Sequence, residues 1–324
     1  MKIINPERQT VTGSTTTSED PNFPLANLFG SHPRNWWRPV ATNAATNRLK
    51  IGAGSSALAC FSTNADDVTC TITADADEQV LDAAAATNEG GGLVGIPCTG
   101  HGYSPGASVL INGTTNYDGV ETVHADTTAN SIIITATYAA ETFAGTETVA
   151  AVQDTEAFDL RVIDTYAKLI TDDPEVYRQF WMDYPYQSTA CTATIEMAAP
   201  AGVILRAGVF RAGPGLSLPQ PAYGIVEGRK DYSIVKQLNN GARYTRKRNI
   251  VRTFSGKMQV TRATEFYYFM DVYDQAGPDP VAILLIDDID DREWAVYGFF
   301  SSPPSGGHNH RINTEVTFQI EEAV

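Results

Sequence analysis

The chain has 324 residues, 43% hydrophobic and 19% charged, enough apolar material for two ordinary domains or one carrying an insertion, which argues against a disordered chain. Its formal net charge is −15, with a pI near 4.7; a generic polyanion binder needs a net positive surface to release counterions, so nucleic acid is not an expected partner. Val, Ile, Thr, Tyr and Phe are abundant and Gly and Pro recur throughout, a balance that favours an all-β, antiparallel β-sandwich or jelly roll with little helix.

Residues 1–20 are polar and Thr/Ser-rich and read as an extended arm or edge strand. The opening Met1-Lys2-Ile3-Ile4 breaks at Asn5-Pro6 after two apolar residues, too short for a signal segment. No stretch approaches the ~20 apolar residues of a spanning helix. Synthesis in a cytoplasm and no membrane insertion are therefore expected, with exit only in a particle or by lysis.

From Asn22 to Pro39 the chain is punctuated by Pro and Gly and reads as a loop that buries its aromatics, Trp36-Trp37 among them. Short strands follow at 48–51, 57–61 and 68–73, the last with the cleanest alternation. Cys60 and Cys70 could face each other across a hairpin. With Cys98 and Cys191 they show no C-x-x-C spacing, and cytoplasmic synthesis favours buried free thiols.

An Ala run passing into Gly90-Gly91-Gly92 reads as a linker. Residues 93–149 then form a small inserted β domain, with hairpin-type turns at Asn112-Gly113 and Asp118-Gly119. Residues 1–92 and 150–324 form the main sandwich region, with a second β domain from about 190 as an alternative. Strands are expected at 191–197, 203–210, 233–238, 249–254, 257–260, 266–272, 281–286, 294–300 and 311–320, and one helix at 173–180, opened by Asp-Asp-Pro.

No catalytic constellation is present, so no enzyme, cofactor or metal assignment follows. His308-Asn309-His310 with Glu315 could hold a metal, but a polar turn is the simpler reading. Asp287-Asp288-Ile289-Asp290-Asp291 lacks the Gly and closing Glu of a calcium loop. Surface candidates are aromatic and basic. Trp181, Tyr184, Tyr186 and Tyr267 lie in dense aromatic clusters suited to a core, a subunit interface or sugar stacking. Arg243, Arg246 and Arg248 form a basic run that could dock on an acidic neighbour.

Pro24-Leu25-Ala26-Asn27-Leu28 followed by Trp36-Trp37-Arg38 resembles the opening of discoidin-like, galactose-binding jelly rolls, where an Asn-Leu loop precedes a buried Trp. Gly100-His101-Gly102 with Asn116-Tyr117-Asp118-Gly119 resembles a small β module inserted in structural proteins of tailed bacteriophages. The stretch from Tyr232 to Arg252 is similar to the ring-forming part of distal tail proteins. Together these resemblances imply a virion protein of a tail tip or baseplate. It would form a homo-oligomeric ring of three or six that joins the tail tube to the hub proteins. The alternative they imply is a tail attachment protein that binds a host-surface glycan.

Overall fold

The computed structural model describes residues 1–5, 11–40, 42–160, 178–237, 243–286, 294–307 and 312–323. Three apolar units are built almost wholly from antiparallel strands.

The first unit is a sandwich. One sheet holds, in order, Val11–Thr16, Ala44–Ile51, Cys191–Ala198, Asp67–Ala74 and the distal part of Thr148–Asp159. Ser55–Thr63 faces it, flanked by Arg178–Gln187 and Val209–Gly213. Alternation drives the assembly: Ala45, Asn47, Leu49 and Ile51 point inward from one strand while their neighbours stay nearer solvent. The 22–39 loop closes one end of the core with Leu25, Leu28 and Trp37. Asn27 donates its side-chain N–H to Trp36 O at 2.8 Å. Trp37 is fully buried.

Ser55–Thr63 is apolar on both faces, which explains its unbroken Ala-Leu-Ala-Cys-Phe run. Leu58 and Cys60 enter the sandwich core, whereas Ala57, Ala59 and Phe61 face the opposite way. There they meet a seven-stranded sheet ordered Gly215–Ser217, Lys2–Ile4, Val281–Leu284, Ala295–Gly307, Asn313–Glu322, Ile250–Thr261, Ala222–Asp231. Ile4, Trp181, Leu284 and Tyr297 fill this second interface. Arg211 pins it. Its guanidinium donates to Phe210 O at 2.8 Å, Gly30 O at 2.7 Å and the Tyr297 hydroxyl at 2.5 Å. Burial lowers the Arg211 pKa and raises that of Tyr297. The far side of the seven-stranded sheet is covered by the helix Tyr267–Ala276.

The third unit is the small module. Thr87–Gly90, Leu93–Pro97 and Ser131–Thr135 form one sheet. Gly119–Thr122, Ser108–Asn112 and the first residues of Thr148–Asp159 form another. That last strand is shared: Thr148 to Ala151 pair with Asn112 to Val109, and Val152 to Asp159 pair with Thr73 to Asp67. The core runs from Leu81 through Ile96, Ile111 and Ile134 to Val149, so its chain span begins ahead of residue 93.

Four local expectations are corrected. Residues 90–92 are no linker: their φ values of +81°, +62° and +82° turn the hairpin between Thr87–Gly90 and Leu93–Pro97, a backbone shape that suits glycine. Residues 267–276 are helix, not strand, because Phe269, Val272 and Ala276 recur at helical spacing on the sheet-facing side. Cys60 and Cys70 lie in opposite sheets of the sandwich, not across a hairpin, and all four cysteines are free and buried. The strand expected from Val203 begins at Val209, because Ile204, Arg206 and Ala207 bond to Thr63 at the end of its strand and to the loop residues Asn64 and Trp37. The helix expected at 173–180 lies outside the described residues up to 177, and Arg178 to Phe180 already belong to a strand. His308, His310 and the acidic run 287–291 also lie outside the described residues.

Candidate functional site

At the edge of the seven-stranded sheet, Ala222–Asp231 and Ile250–Thr261 pair until Asp231 meets Ile250. Beyond that point the chain continues as a separate two-stranded arm, Ile234–Gln237 against Arg243–Arg246. The junction is built by side chains. Asp231 accepts the Ser233 N–H at 2.7 Å, and Ser233 hydrogen bonds hold its carboxyl below the usual range. Ser233 Oγ in turn accepts the Arg248 N–H at 3.0 Å.

None of the described residues of the arm belongs to an apolar cluster. Ile234 pairs with Arg246 and Lys236 with Tyr244 on one face, and Val235 pairs with Thr245 and Gln237 with Arg243 on the other. Every one of these residues except Ile234 is exposed, including Val235 at 59% and Tyr244 at 54%. Of the arginines singled out by sequence, Arg243 and Arg246 lie on opposite faces of the arm, and Arg248 lies just beyond it, beside the cavity at its root.

Below the arm lies a surface cavity lined by Tyr232, Arg248, Val251, Phe299 and Glu321. Glu321 is buried, accepts from Lys230 Nζ at 2.8 Å and bonds the Tyr232 hydroxyl. Arg252 grips Glu322 through two nitrogens, at 3.0 and 2.7 Å. These charge-assisted bonds tie together the strands from which the arm departs. Sequence reasoning missed Tyr232, Phe299 and Glu321. The register of Ala222–Asp231, Ile250–Thr261, Asn313–Glu322 and Ala295–Gly307, with Phe299 opposite Glu321, brings them together.

The aromatic candidates do not join this site. Trp181 and Tyr184 are buried on opposite faces of Arg178–Gln187, Trp181 against the seven-stranded sheet and Tyr184 in the sandwich core. The Trp181 indole N–H donates to Asp183 at 3.1 Å, and Asp183 pairs with Lys2 at 2.5 Å. Tyr186 and Tyr267 are exposed at 68% and 56%.

In the small module the residues that carry the phage resemblance hold turns. His101 lies with Nε2 2.6 Å from Thr128 O, and its Nδ1 accepts the Tyr103 N–H at 3.0 Å, so the neutral Nε2–H tautomer fits both partners. Tyr117 is buried and donates its hydroxyl to Ala139 O at 2.5 Å. Asp118 accepts the Thr114 N–H at 2.6 Å. Among the described residues no three His, Cys, Asp or Glu side chains converge as a metal site, and no helix is long and apolar enough to cross a membrane.

No protein-family model matches the chain, and no curated protein matches it.

Proposed function

We propose that this chain is a self-associating structural subunit of a bacteriophage tail tip, forming a ring or sleeve of the kind that connects a tail tube to a hub. The observation that carries the reading is the strand pair Ile234–Gln237 and Arg243–Arg246, whose side chains, Ile234 apart, are exposed and which belongs to none of the apolar clusters among the described residues. An isolated two-stranded hairpin is marginal in water, so such an element gains stability by packing on a partner. The phage-like turn residues of the small module and the buried Trp37 after its Asn-Leu loop support the same reading.

Electron microscopy of the purified protein in negative stain tests this. Closed rings of three or six copies are expected. A field of single 35.0 kDa particles at every concentration would count against it.

A further inference from the structure

The charges of this chain are segregated along its length. Residues 51–160 contain 15 Asp and Glu and no Lys or Arg, whereas all remaining residues contain 23 of each sign. The entire formal charge of −15 therefore belongs to part of the sandwich and to the small module. Residues 232–250 are the converse, with Lys236, Arg243, Arg246, Lys247 and Arg248 and no acidic residue.

Resting on the assembly reading above, we propose that the arm of one copy docks on the acidic small module of a second copy, at the edge strand Gly119–Thr122. This strand is the last of its sheet, so one side of its backbone has no neighbouring strand in the sheet. It exposes Val120 and carries the half-buried Glu121; Asp118, bonded to Thr114, precedes it, and the exposed Asp126 follows four residues after its end. The arm offers the complement: Val235 and Tyr244 for apolar contact, with cations on both faces. Opposite potentials steer such surfaces together and set their register. Arm against arm would oppose the three cations Lys236, Arg243 and Arg246 to three, so a symmetric arm–arm dimer is disfavoured. Donor and acceptor are different patches on each copy. The contact is thus head-to-tail, and it closes into a ring when the rotation between copies divides a full turn.

The test uses the full chain and two charge-reversed variants, R243E/R246E/R248E on the arm and E121K/D126K on the module. Absolute mass is read by light scattering at low salt, and thermal melting serves as the check on folding. The wild type is expected at a multiple of 35.0 kDa and each variant alone at the monomer mass, with a single cooperative melting transition kept in all three. An equimolar mixture of the two variants is expected to regain an assembly, since each supplies the charge that the other's reversed patch needs. An arm variant that keeps the wild-type mass overturns the docking and leaves the assembly reading standing. A module variant that keeps it overturns Gly119–Thr122 as the acceptor. A wild type that is monomeric at low salt removes both readings.

Discussion

Trp181 and Tyr186 sit five positions apart on one strand and have opposite fates. Trp181 fills the contact between two sheets, so Trp181→Ala is expected to lower unfolding free energy by about 3–5 kcal/mol in chemical denaturation. Tyr186→Ala, at an exposed position, is expected to change it by less than about 0.5 kcal/mol. Glu147 gives a pH signature. Its carboxylate accepts the N–H groups of Ala144 and Thr146 at 3.0 Å, and these backbone bonds depress its pKa below the ordinary 4.5. A depressed carboxylate stabilises the fold above its unfolded pKa, and that contribution fades as pH falls through the folded value. Glu147→Gln is therefore expected to melt lower than wild type at neutral pH. The gap should shrink in melts run progressively below pH 4.5.

At the scale of elements, alternation is the signal the sequence carries best. Expected strands fall on 44–51, 67–74, 191–198 and 313–322; the first and last show inward and outward residues in turn, whereas 67–74 and 191–198 are buried along most of their length. Residues 266–272 mislead because a dense aromatic run suits a strand by propensity, while burial of Phe269, Val272 and Ala276 requires a helix. The arm was legible as charge but not as geometry. Arg243, Arg246 and Arg248 are visible in the sequence, whereas the pairing of Ile234–Gln237 with Arg243–Arg246 and the Glu321 root depend on register. Because the arm contributes nothing to any of the apolar clusters, replacing residues 234–246 with a short Gly-Ser loop is expected to leave the melting temperature within a few degrees of wild type. A large drop would show that the arm helps hold the sheet together.

Across the whole molecule, one sheet serves two cores. Ser55–Thr63 and its neighbours are covered on both sides, so the sandwich and the seven-stranded sheet share an apolar layer that alternating patterns alone do not reveal. An all-β sandwich was readable from composition and strand spacing. The strand order was not, since Lys2–Ile4 at the start of the chain pairs with Gly215–Ser217 and Val281–Leu284 far along it. Arg211 ties the layers together, and Arg211→Leu is expected to cost about 1–3 kcal/mol by leaving Gly30 O and the Tyr297 hydroxyl without their donor.

The central claim is that copies of this chain assemble through complementary charge. Light scattering coupled to size exclusion, run on the wild type at about 0.05 M and about 1 M salt, tests it most directly, because the Debye length shrinks severalfold between them. A closed multiple of 35.0 kDa at low salt that falls toward the monomer at high salt is the expected result. A monomer at both concentrations, or an assembly indifferent to salt, would contradict the account.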